Sequence, residues 1–124
     1  MGKRILMIED NDQNAYLASF LLGARGWEIV RAADGETGIS MAGTVKPALI
    51  LLDIQLPGMD GYAVARALKA NRDVADIPVI AVTSYAMAGD RDRCLSAGCD
   101  GYIEKPIDPE TFADEVGRYL EKKQ

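Results

Sequence analysis

A chain of 124 residues, 48% of them hydrophobic, is long enough for one compact core and too short for two ordinary domains. With 19 acidic against 14 basic residues it carries a formal net charge of -5 and no basic block, which argues against nucleic-acid binding and for a protein partner. No apolar run approaches the roughly 18 residues a membrane span needs, and the opening MGKRILMIEDND turns acidic too soon for a secretory leader, so a cytoplasmic protein away from membranes is expected.

RILMI (4–8) reads as a first strand, followed by a helix in which Leu17, Phe20, Leu21 and Ala24 recur at helical spacing up to Gly26. WEIVRAA (27–33) is strand-like but partly polar. Its Glu28 and Arg31 suit a sheet edge. A less regular helix is expected over 35–44, and ALILL (48–52), the most apolar run, is the third strand. Ala63, Val64, Ala67 and Leu68 mark one face of the next helix. IPVIAVT (77–83) is a fourth strand, 87–97 a helix rich in Ala and Gly, and GYIEK (101–105) a short fifth strand. The last helix opens at DPE, with Asp108 as cap and Pro109 in the first turn, and turns Phe112, Val116, Tyr119 and Leu120 inward. Cys94 and Cys99 are too few and too close for a disulfide framework and read as reduced, buried thiols.

Five strands alternating with five helices predict an α/β domain, a mainly parallel sheet covered on both faces, with the apolar first, third and fourth strands central. In such folds sites lie beyond the carboxyl ends of the strands. Glu9 and Asp10 sit at that end of the first strand, Asp53 of the third and Thr83 of the fourth, while Lys105 closes the fifth. Converging carboxylates repel one another unless a cation neutralises them. The chain has no histidine, and no sulfur is placed to select zinc or copper, so oxygen donors point to Mg2+, with Mn2+ as substitute. Thr83 and Lys105 are apt for the oxygens of a phosphoryl group moving onto Asp53. Spacing alone leaves plainer readings open: solvated loop carboxylates, a Thr83 that caps the next helix, a surface Lys105, a Tyr102 that packs on the core. No dinucleotide fingerprint or triphosphate loop is present.

ILMIEDN, LILLDIQLPGMDG, VIAVTSYA and GYIEKP, in this order and at these intervals, resemble the receiver domain of bacterial two-component response regulators. The resemblance spans essentially the whole chain, 1–124. It implies a flavodoxin-like doubly wound sheet of strand order 2-1-3-4-5, and it assigns roles. Asp53 would be the phosphoacceptor. Asp10, Glu9, Asp53 and the backbone carbonyl of Gln55 would serve the Mg2+, Glu9 often through water. Thr83 and Lys105 would hold phosphoryl oxygens, Tyr102 would be the aromatic switch, and Pro106 would follow a cis bond that fixes the entry of Lys105. Glu9 stands where many members have Asp, a mild departure.

Lacking histidine, the chain would take its phosphoryl group from a sensor histidine kinase or histidine phosphotransferase and pass the signal to an effector protein. It would be an enzyme only in catalysing its own phosphorylation and dephosphorylation. The chain ends at EKKQ soon after the fifth helix and resembles single-domain regulators of motility or the cell cycle, acting as a monomer or weak dimer. SYAMAGDRDRC (84–94) also resembles receivers fused to hybrid kinases, so an excised domain or a phosphorelay shuttle is the alternative. A phosphatase with an aspartyl-phosphate intermediate is disfavoured by Gln55, where a second carboxylate is needed. A flavodoxin-type cofactor module is disfavoured by EDND after the first strand.

Overall fold

The computed structural model describes residues 3–56, 58–84 and 89–123, the last three as backbone only. Five strands and five helices alternate: β1 (Arg4–Ile8), α1 (Asp12–Gly23), β2 (Glu28–Ala32), α2 (Gly35–Val45), β3 (Leu49–Asp53), α3 (Gly61–Ala70), β4 (Val79–Thr83), α4 (Asp90–Ser96), β5 (Gly101–Glu104) and α5 (Phe112–Lys123). All pairings are parallel and the order is β2-β1-β3-β4-β5. The expected flavodoxin-like fold is therefore the one observed, with β1, β3 and β4 in the middle.

Strand side chains alternate between faces, and both faces here are covered, which is why these three strands read as unbroken apolar runs. Leu6, Ile8, Ile50, Leu52 and Ala81 pack with Ala42 of α2, Val64 and Leu68 of α3 and Cys94 of α4. Ile5, Met7, Leu49, Leu51 and Ile80 pack with Ala15, Ala18 and Leu22 of α1 and Phe112 and Val116 of α5. Both cysteines are free and buried, and burial raises both thiols, Cys99 to about 12. No helix among the described residues is long and apolar enough to cross a membrane.

Side chains fix the starts of three helices. Asn11, Asp34 and Asp60 accept the backbone N–H of Asn14, Thr37 and Ala63 at 2.9, 2.8 and 2.9 Å. These bonds satisfy donors that a helix start leaves orphaned. On the edge strand β5, the N–H of Tyr102 donates to the Tyr119 hydroxyl at 3.3 Å, and that hydroxyl donates to the Tyr102 carbonyl at 3.3 Å. The Tyr119 ring covers Gly101, where a Cβ would collide with it.

Three boundaries or faces differ from the expectation. α1 buries Ala15, Ala18 and Leu22, whereas Phe20 is 64% exposed and Ala24 lies exposed beyond the helix end. The helix is apolar nearly all round, and its small alanines allow the closer approach to the sheet. α1 also ends at Gly23, three residues before Gly26, which turns the chain at φ 92°. α4 is described only from Asp90; its expected start at 87–88, like Pro57, lies outside the described residues. α5 begins at Phe112 because Asp108 closes a turn first, its carboxylate accepting the N–H of Glu110 at 2.9 Å and its carbonyl those of Thr111 and Phe112.

Candidate functional site

Parallel registry brings the carboxyl ends of the central strands level: Ile8 pairs with Leu52, and Asp53 with Val82. Asp53, the last residue of β3, is 4% exposed, and Glu9, one residue past β1, is 6% exposed. Two carboxylates so deeply placed need donors or cations. Asp53 Oδ1 accepts the N–H of Gln55 at 2.9 Å and lies 3.2 Å from Lys105 Nζ. The same ammonium is 3.4 Å from Glu9 Oε1, and Glu9 Oε2 accepts the N–H of Asn11 at 3.1 Å. Asp10 is exposed beside them. Glu9, Asp10 and Asp53 each offer an oxygen within 4.8 Å of the others.

One lysine does not balance this charge. Burial, reinforced by a hydrogen bond and repulsion from Asp53, raises the Glu9 carboxyl from 4.5 to about 7, against the opposing pull of the Asn11 N–H and Lys105. The donor set is all oxygen, open to solvent at Asp10 and short of positive charge. A small hard divalent cation fits it on chemical grounds.

The loop after Asp53 passes close to α3 because residue 61 has no side chain: a Cβ there would run into the Ile54 backbone, within 2.9 Å of its carbonyl oxygen. Gly58 turns the same loop at φ 82°. Thr83, fully buried, ends β4, and its carbonyl accepts the Lys105 N–H at 2.8 Å, which seats the lysine across from β3. The Lys105–Pro106 bond is cis. Tyr102 is half-buried against the α2–α4 side of the core. It lines a groove of about 800 Å3 shared with Gly89, Arg91 and Leu95 of the α4 region and Glu115 and Tyr119 of α5. Glu9, Asp10, Asp53 and Lys105 thus meet in one cluster, with Gln55 and Thr83 at its rim, while Tyr102 lies on the groove side.

Two arrangements were not read from the sequence. Arg31, taken only as an edge-strand charge, donates from Nε to the Glu9 carbonyl at 3.0 Å and from a terminal nitrogen to Asp12 at 2.8 Å. The Gln55 side chain, given no role beside the backbone carbonyl, accepts both the N–H and the hydroxyl of Ser84, at 3.1 and 2.6 Å. Both depend on which loops face each other, and periodicity carries no such information.

The family described as the response regulator receiver domain matches residues 5–117. The polar-differentiation response regulator DivK of Brucella anthropi is 41% identical over 120 residues, which is 97% of this chain and 98% of the relative. Among solved structures, the receiver domain of a sensor histidine kinase from Pseudomonas aeruginosa has a magnesium ion coordinated in its active-site cleft. It is 32% identical, with a TM-score of 0.89 over 98% of this chain and 99% of that one. A CheY-like receiver domain protein from Methanospirillum hungatei is 29% identical, with a TM-score of 0.88 over 99% and 97% of the two chains. With its sheet order, its acidic cluster and these similarities, the chain belongs to the response regulator receiver domain family.

Proposed function

We propose that this receiver takes a phosphoryl group on Asp53 from a phosphohistidine of a two-component kinase or histidine phosphotransferase, in a Mg2+-dependent reaction. The observation that carries this reading is the pair of buried carboxylates, Asp53 and Glu9, sharing the single ammonium of Lys105 at 3.2 and 3.4 Å beside the open carboxylate of Asp10. Asp10, Glu9, Asp53 and the Gln55 carbonyl would hold the cation. Bound there, Mg2+ supplies the positive charge that lets Asp53 and an incoming phosphate share one site.

An Asp53 carboxylate oxygen attacks phosphorus, a P–O bond forms, and the P–N bond to the partner's imidazole breaks with its electron pair leaving on nitrogen. Lys105, paired with Asp53 at rest, moves its ammonium to a phosphoryl oxygen, and the Thr83 hydroxyl takes another. Thr83 and Tyr102 then act as the switch, repacking the groove between α4, β5 and α5 for an effector protein. The test is intact-mass analysis after incubation with Mg2+ and a small acyl-phosphate donor. One acid-labile phosphoryl group is expected on the wild type and none on Asp53→Asn; full modification of that variant sinks the assignment.

A further inference from the structure

We infer that Arg31 is a positioning residue for the metal-binding loop, an inference that rests on the proposed Mg2+ site. The loop that carries Glu9 and Asp10 is gripped by the end of β2 through both polar groups of one residue. Glu9 donates its N–H to the Ala32 carbonyl at 3.0 Å, and its own carbonyl accepts from Arg31 Nε at 3.0 Å. The guanidinium then reaches past Asp10 and Asn11 to Asp12, the first residue of α1, at 2.8 Å. One planar side chain therefore anchors the loop on both sides of Asp10, the exposed member of the acidic cluster. The Arg31 side chain is about one-third exposed, which partly shields its bond to the Glu9 carbonyl, whereas the Asp12 carboxylate it reaches stands in solvent.

A guanidinium suits this task and an ammonium does not, because its Nε and terminal nitrogen donate in a fixed fork. Although it pairs with Asp12, the charge of Arg31 taken alone opposes a cation bound nearby and would weaken Mg2+ binding. Geometry and charge thus make opposite demands, which is what lets the role be tested. Groups that orient metal ligands without touching the metal typically change affinity about 10- to 100-fold when removed. Since Arg31 acts through the Glu9 peptide and the start of α1, the lower end of that range is expected.

Titrate Mg2+ calorimetrically into the wild type, Arg31→Ala and Arg31→Lys, with thermal melts and amide exchange at residues 9–12 as companions. Both variants should bind Mg2+ about 10-fold more weakly and exchange faster at the loop, Arg31→Lys doing so although its charge is kept. Binding by Arg31→Ala as tight as wild type, or tighter, overturns the positioning role and leaves only charge. Full affinity in Arg31→Lys overturns the fork. A wild type that binds no Mg2+ fails the proposed function itself, and this inference with it.

Discussion

Glu9 is held in the fold with a carboxyl pushed to about 7, while in the unfolded chain it returns to its ordinary value of 4.5. Between those values the folded protein keeps a proton that the unfolded chain releases, so stability falls as pH rises. The contribution is fully present below about 4.5 and is lost as pH rises through about 7. Mg2+ has the opposite preference, since it binds the carboxylate. With no histidine, the chain lacks the usual neutral-pH titrator, so the background is small. In chelator, the melting temperature should therefore be higher at about pH 6 than at about pH 8, a gap that Glu9→Gln abolishes and Mg2+ narrows. A flat profile in chelator would remove Glu9 as the titrating group. Residues of this kind were legible: Asp53, Glu9, Asp10 and Lys105 are charges that end apolar runs. Arg31 was not, because its meaning depends on the strand beside it and on a loop 22 positions away.

At the level of elements, the strands were readable because burial on two faces leaves no polar interruption. α1 was not, since a helix apolar nearly all round offers no single stripe to choose, and Tyr16 and Phe20 ended at 74% and 64% exposure. α5 shows the other failure, a capping signal at Asp108 that closes a turn before the helix begins. Two glycines in helices give opposed expectations. Gly61 opens α3 against the Ile54 backbone, so Gly61→Ala forces the loop after Asp53 away and should destabilise by about 1–3 kcal/mol. Gly117 lies inside α5 with open space where its Cβ would be, so Gly117→Ala should stabilise by about 0.5–1 kcal/mol. Urea unfolding of the two variants checks both signs. Equal effects would mean that the close approach at Gly61 does not constrain the loop.

Across the whole molecule, the periodic pattern yielded a parallel α/β sheet, whereas the strand order and residue roles came with the family's set of motifs. Lys105 follows the strand that forms one wall of the groove, while its ammonium reaches Asp53 on the other side of β4. β5 therefore joins the acidic cluster to the groove, and Thr83 is the buried residue between them. Thr83→Ala should still accept the phosphoryl group but lose most of the change in effector affinity, which at ~1–3 kcal/mol of coupling amounts to about 5- to 150-fold. Partner calorimetry with and without a phosphoryl mimic, together with amide exchange over 89–105, reads this directly. Identical coupling in Thr83→Ala would place the switch elsewhere.

The Tyr119 hydroxyl, bonded to both polar backbone groups of Tyr102, has a consequence for how that face is recognised. An edge strand ordinarily offers its free N–H and C=O groups to any extended chain, including another copy of itself. On β5 the central pair is already engaged from within. A visiting segment cannot simply extend the sheet there, and an effector of the kind proposed above would have to read side chains, with a helix or a loop laid against the groove. The tyrosine thus guards the sheet against unselective pairing and leaves the face to partners that can tell one side-chain arrangement from another.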